Sequence, residues 1–257
     1  ALVDGQLDAA FVSSSQVPEA EANGFEVLST TQTTFHGFLL NTSHEALAIP
    51  EVRLALMLAI DREAISAALY GGRCIPTVQP YPEGFWGFSP ELAASVETAY
   101  DPERAQQLLA DAGYPDGLDI ELKATATTIY SRLAEVLQEQ FGAIGVHVEV
   151  DISNTLGEQR RNGDFEIISG AYQVGRPDPT AYATNYFAVD GPQNFGAFDF
   201  GIDELIVESR QSTDPAERAV PIHELIATVL EQGPTLIPVC IPESITAHHE
   251  GVAGIDL

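Results

Sequence analysis

The sequence predicts an α/β domain. Three observations carry that expectation. Strand-like and helix-like stretches alternate along most of the chain. Residues 118–152 read as a complete strand–helix–strand unit, with Leu118, Ile120 and Leu122 on one face of the first strand and Val146, Val148, Val150 and Ile152 on one face of the second. Helix starts are marked by proline in the first helical position at Pro50, Pro102 and Pro215, twice directly after an aspartate that can cap.

In chain order, residues 1–49 are short of helical patterning. Leu7–Val12 reads as a short buried strand, and 25–28 and 35–40 as two more, with room for a short helix near residues 18–24. One helix is expected from Pro50, through Val52, Leu56, Ala59, Ile60, Ala64 and Leu69, to a stop at Gly71-Gly72. Residues 75–88 hold too much Pro, Gly and aromatic content for a regular element and are too apolar for a solvated loop. A helix runs from Asp101-Pro102 to Gly113. The strand–helix–strand unit follows, with its helix near 129–141, and a further strand is expected over 165–169. Residues 171–200 read as a loop-rich aromatic segment. Helices near 202–211 and 215–230 and a strand over 236–241 complete the order.

The 257 residues suffice for one large or two modest domains with a sizeable core. No stretch approaches the roughly 20 apolar residues of a membrane span. With 38 acidic against 11 basic side chains the formal net charge is −27, a field that repels nucleic acid and anionic lipid. A solvated surface suited to a salty or extracellular medium explains that acidity more simply than recruitment of cationic ligands. Cys74 and Cys240 have no metal-ligand spacing; two buried thiols are expected, with a disulfide as the alternative. Ala1–Gly5 carries no initiator Met, basic segment or apolar segment, as expected after removal of a signal peptide.

Catalytic signatures are absent from the sequence: it holds no G-x-S-x-G, H-E-x-x-H, P-loop or G-x-G-x-x-G pattern. His248-His249-Glu250 reads as a solvated tail, because adjacent residues of an extended segment point to opposite faces. His223-Glu224 is expected on a helix surface. Carboxylate pairs are too common here to argue for acid/base catalysis. No cofactor or metal is expected. What stands out is two aromatic-rich segments, Gln79–Phe88 and Tyr172–Phe198, which suit binding as well as they suit covering a core edge.

An ordered set of motifs resembles the extracellular solute-binding proteins of family 5, which serve dipeptide, oligopeptide and nickel importers of the ABC type. The set comprises Asp4-Gly5-Gln6-Leu7-Asp8-Ala9-Ala10; Leu39-Leu40-Asn41; Pro50-Glu51-Val52-Arg53-Leu54-Ala55-Leu56; and Ala59-Ile60-Asp61-Arg62-Glu63-Ala64-Ile65. It continues with Tyr100–Ala105, Leu108–Gly117, Pro177-Asp178-Pro179, Ile202–Leu205, Asp214–Arg218 and Pro234–Pro238. The resemblance covers essentially the whole chain. It implies a periplasmic-binding-protein-like (type II) C-terminal lobe with partial strands of a missing first lobe. Residues 1–41 are then the remnant of the first lobe and its crossover strand, 42–238 the second ligand-binding lobe, and 239–257 the crossover back.

The resemblance implies a substrate-binding component, not an enzyme. Such a protein encloses an extracytoplasmic solute between two lobes and delivers it to ABC permease subunits, and a lipid anchor is expected on the full-length protein. An oligosaccharide or metal-chelate cargo and, more remotely, a small-peptide hydrolase are the alternatives. Surface left by the missing lobe is expected to make the fragment self-associate. In peptide-binding members an aspartate in the motif ending Asp-Pro pairs with the peptide amine. Here Gly175 occupies that position, Arg176 comes next, and Tyr172 replaces the motif's Trp. The candidate ligand-binding residues are Tyr172, Arg176 and Asp178 by motif position, and Tyr81, Phe85, Trp86, Asn194 and Phe195 as aromatic or polar residues of the two segments. Asp178-Pro179 serves equally well as a structural turn.

Overall fold

The computed structural model describes residues 2–173 and 178–255. Its strands are β1 (Ala9–Phe11), β2 (Glu26–Thr31), β3 (Thr34–Leu40), β4 (Cys74–Pro76), β5 (Leu118–Ala124), β6 (Val146–Ile152), β7 (Ile167–Gln173) and β8 (Leu236–His248). The helices are α1 (Val17–Ala22), α2 (Glu45–Ala48), α3 (Pro50–Leu58), α4 (Arg62–Tyr70), α5 (Pro90–Ala93), α6 (Pro102–Asp111), α7 (Thr128–Ala143), α8 (Leu156–Asn162), α9 (Pro179–Tyr186), α10 (Asp203–Glu208) and α11 (Pro215–Glu231).

The sheet order is β1-β8-β3-β7-β5-β6, with β2 and β4 also pairing to β8. The expected strand–helix–strand unit is present: β5 and β6 are parallel, from Leu118↔Val146 to Ala124↔Ile152, and α7 connects them. Strand β7 joins β5 in parallel, and β3 runs antiparallel to β7.

Strand β8 holds the two ends of the molecule together. Its first half pairs with β3 (His36↔Cys240) and its second half with β2 (Thr31↔Glu243). β2 and β3 therefore run as one broken line along one side of β8. On the other side lie β4 (Cys74↔Pro242) and β1 (Ala9↔His248). The buried apolar residues divide accordingly. One large core spans the sheet from β3 to β6 and its helices. A separate small cluster of Ala20, Phe25 and Ala247 sits under β2 and the far half of β8.

Helix starts obey the predicted chemistry. Asp101 and Asp214 accept from the backbone N–H groups of Arg104 and Ala216, each at 2.9 Å. Several expectations need correction. The single helix over 50–70 is two helices. Asp61 caps the second by accepting from Ala64 N, and the Arg62 guanidinium donates to the carbonyls of Met57 and Ile60 at the break and to those of Thr77 and Pro238 beyond it. A periodic apolar pattern continues across that break because both helices face the same core. The strand at Leu7–Val12 is not buried: β1 is an edge, and Phe11 is 80% exposed. His248 is no solvated tail; it lies within β8 at 3% exposure, between β1 and β2. The loop-rich segment 171–200 contains α9, and α8 precedes β7, which begins two residues later than expected.

Cys74 and Cys240 are not free thiols. They form a disulfide between adjacent strands, with Cα atoms 5.4 Å apart and 166 residues of sequence separation. Closing so long a loop stabilises by about 5 kcal/mol in the chain-entropy account.

Candidate functional site

In open α/β sheets ligands bind outside the carboxyl ends of the parallel strands. Here those ends are Ala124, Ile152 and Gln173. Thr34, opposite Gln173, brings the start of β3 to the same end, where β8 also leaves for β1 and β2. The candidate site therefore comprises the segments that leave β5 and β7, and the loops that dock beside them.

The first aromatic segment is a closed loop. The Gln79 side chain donates to Ser89 O at 2.8 Å and accepts from Ser89 N at 3.0 Å. The loop docks on the start of α9. Tyr81 donates its hydroxyl to Pro179 O at 3.0 Å, stacks on Phe85 and meets Tyr182 edge-on. Phe85 stacks in turn on Trp86, and the Arg218 guanidinium lies 4.9 Å over the Trp86 ring. The same guanidinium donates from Nη2 to both Asp178 carboxylate oxygens, at 2.9 and 2.8 Å. Asp178 also caps α9 by accepting from Thr180 N. Burial alone would raise the Asp178 carboxyl, but hydrogen bonds from Arg218 and Thr180 outweigh it and hold the pKa below the usual range.

Tyr172 is buried at the end of β7. Its hydroxyl donates to Ile168 O at 2.7 Å, its ring stacks on Phe35, and the Arg160 guanidinium lies 5.1 Å over it. Arg160 donates to the Gln193 side chain at 2.7 Å and to the Tyr186 hydroxyl at 3.3 Å.

On the opposite face of β3 sits a group that the sequence pattern did not reveal. His36 Nδ1 is 2.6 Å from the Tyr70 hydroxyl, and the Tyr130 ring, in the first turn of α7, meets the imidazole edge-on at 5.1 Å. Burial pushes the His36 pKa down to about 4, so the ring is neutral near pH 7. Desolvation likewise raises the Tyr70 and Tyr130 phenols. The only sequence signal was a histidine inside an otherwise apolar strand.

A cleft of about 720 Å³ opens between β4 and the first aromatic loop. Thr31 of β2, Ile241 of β8, Ile75 of β4, and Tyr81 and Glu83 of the loop contribute to its wall. Among the described residues no group of three or more His, Cys, Asp or Glu side chains is arranged to hold a metal ion.

The model of the bacterial extracellular solute-binding proteins, family 5, matches residues 1–194. The chain belongs to family 5. Among family-5 relatives, it is 26% identical over 225 residues to di/tripeptide-binding protein 2 of Pseudomonas aeruginosa, covering 84% of this chain and 42% of that protein. It is 29% identical over 198 residues to heme-binding protein A of Haemophilus influenzae, covering 72% and 35%. Of solved structures, the periplasmic binding protein DppA of Helicobacter pylori, in complex with the peptide STSA, superposes with a TM-score of 0.84 at 22% identity, covering 98% of this chain and 50% of that one. The binding protein AgaA of A. tumefaciens R10, in complex with agropinic acid, gives 0.86 at 26%, covering 98% and 53%. The periplasmic-binding-protein fold expected from the motifs is thus present. The chain spans about half the length of these relatives, or less.

Within this family-5 chain the predicted site residues fall into two places. Tyr81, Phe85, Trp86 and Asp178 form one connected group, which Tyr182 and Phe35 link to Tyr172. Asn194 and Phe195 lie at the other end of the sheet. The Asn194 amide donates to the carbonyls of Ala188 and Phe198 within its own loop. The Phe195 carbonyl accepts from Thr42, just beyond β3, and its ring packs on Phe165, just before β7. Arg176 lies outside the described residues.

Proposed function

We propose that this chain is the ligand-gripping lobe of the substrate-binding component of an ABC-type importer. In this reading residues 1–41 belong to the first lobe and its crossover strand, 42–238 form the second lobe, and 239–257 return to the first. Family membership is the observation that carries the proposal. The pairing of β2–β3 with β8 and the separate small core under their far ends agree with a chain that crosses between two lobes twice. The complete protein acts outside the cytoplasm, held by a lipid anchor, and passes its solute to permease subunits. No helix among the described residues is long and apolar enough to cross a membrane.

The cargo is peptide-class or a related small molecule. Two observations favour one without a free amine. Gly175 offers no carboxylate at the position that pairs with peptide amines elsewhere in the family. The remaining acid of that motif, Asp178, is already engaged by Arg218. A buried ammonium without a carboxylate partner is very costly, so a neutral or anionic solute such as a sugar, an acidic peptide or a metal chelate fits better. The complex of the 26%-identical AgaA with agropinic acid supports this reading, since its ligand is an acid. Calorimetry of the complete two-lobe protein tests the reading. Acidic or N-acetylated peptides should bind at least as well as free-amine peptides. Tight binding of di- and tripeptides that disappears on blocking the amine would overturn it.

A further inference from the structure

The two crossing strands are held together unevenly. Residues 32–33 belong to neither β2 nor β3, and the bond that bridges this break, from Gln32 N to Pro242 O, is long at 3.4 Å. Immediately below it, the register between β3 and β8 shifts at His36/Gly37. The ladder between the strands is thus weakest around His36 on one side and Cys240–Glu243 on the other.

The corner between α4 and β4, residues 70–74, is fastened to both strands at this level. The Tyr70 hydroxyl is 2.6 Å from His36 Nδ1 on β3. Cys74 is bonded to Cys240 on β8. Arg73 Nη1 donates to Glu243 Oε2 at 3.0 Å, while Arg73 O accepts from Glu243 N at 3.1 Å. Four links of three chemical kinds therefore join one five-residue corner to a short stretch of the crossing pair. Beyond Glu243 this support ends: β4 stops at Cys74↔Pro242, and that side of β8 is taken up again only at Ile245, whose carbonyl accepts from Val12 N at 3.0 Å, so Ser244 lies in the gap.

We infer that the 70–74 corner is a brace that makes the crossing pair one rigid body across its own weak point, with the Cys74–Cys240 bond as its covalent member. Bending between lobes requires a few residues free to change φ and ψ. The brace denies that freedom to Gln32–Phe35 and Cys240–Glu243 and leaves it to the stretch around Thr30 and Ser244. Reduction of the disulfide to two thiols by an external dithiol, which is itself oxidised to a disulfide, turns the weak ladder into a second flexing point. The bond is a conformational control built into the fold, and it acts only in an oxidising compartment.

Hydrogen exchange on the full 257-residue chain tests this. In the C74S/C240S double variant, the amides of Gln32, Phe35, Ile241 and Glu243 should exchange at least tenfold faster, while those of β5, β6 and α7 keep their rates. A Y70F/R73Q variant, with the disulfide intact, should show a smaller increase at the same amides. It also serves as the deciding measurement if the serine variant fails to fold. No change at these amides, or an equal acceleration throughout β5, β6 and α7, would overturn the inference; the latter would mean the bond stabilises the whole fold without bracing the pair.

Discussion

Arg53 Nε donates to the Gly233 carbonyl at 2.6 Å, joining the first turn of α3 to the end of α11 across 180 residues of sequence. The guanidinium is wholly buried and forms no ion pair with a carboxylate among the described residues. Its other nitrogens donate to the carbonyls of Leu47, Ala48 and Gln232, and it lies 4.0 Å over the Phe198 ring. These carbonyls belong to the ends of α2 and α11, where helix dipoles concentrate negative charge. Burial lowers the Arg53 pKa to about 10, which leaves it charged at neutral pH. Arg53→Met should therefore cost about 3–5 kcal/mol, since it strands four carbonyls. Gly233 (φ 74°) leaves no room for a side chain, because a Cβ would sit 2.5 Å from Pro50 O, so Gly233→Ala should also destabilise. Thermal melts check both, and an R53M melting point within a degree or two of wild type would refute the account.

Arg218 couples the aromatic loop to the start of α9, and Trp86, the only tryptophan, reports on it. Arg218→Ala should expose the indole face and shift its fluorescence to longer wavelength. Asp178→Ala should cost about 1–2 kcal/mol through loss of the helix cap, the half-exposed ion pair adding little. Unchanged emission in R218A would show that the contact does not order the loop.

The neutrality of His36 makes stability depend on pH. Its folded pKa, about 4, lies below the ordinary imidazole value of 6.5, so the unfolded chain binds the proton first. The contribution is complete above about pH 6.5 and is lost progressively as pH falls toward 4. Between pH 7 and 5 this one group should remove about 2 kcal/mol. Denaturant titrations of wild type and His36→Asn at both pH values isolate it, and the variant should lose correspondingly less stability. Parallel losses in the two proteins would show that His36 does not titrate this way.

Phe11, Val3 and Leu7 are exposed in the same segment as Leu2 and Val12, which pack on the small second core. The isolated chain should self-associate through that surface at high concentration, and Phe11→Glu should weaken the association. Sedimentation across a concentration series measures it; a strictly monomeric wild-type profile would contradict the expectation.

Much of the architecture was legible because its signals are local. The strand–helix–strand unit is written in two period-two strands, and the helix starts in Asp-Pro pairs. Features set by distant partners were not. The break at Ala59–Asp61 depends on Arg62 reaching the Thr77 and Pro238 carbonyls, which no local pattern foretells. The burial of His248 depends on β1 and β2 at the other end of the chain, and the disulfide on the register of β4 against β8. The aromatic loop was picked out by composition, but its docking on Asp178 and Arg218 required the fold. Composition also nominated Asn194, whose amide closes its own loop.

The position of β8 has a consequence for how the chain comes to be folded. During synthesis β3 emerges with one neighbour, β7, more than 120 residues away and the other, β8, some 200 away, since Leu39 pairs with both Ile168 and Leu236. Until β8 emerges, β2 and β4 have no strand partner among the described residues. The β5–α7–β6 unit can form early from local contacts, whereas the middle of the sheet closes only when residues 236–248 leave the ribosome. Such late, long-range pairing is slow and leaves strand edges open meanwhile. The nascent chain therefore depends on whatever shields those edges before β8 arrives.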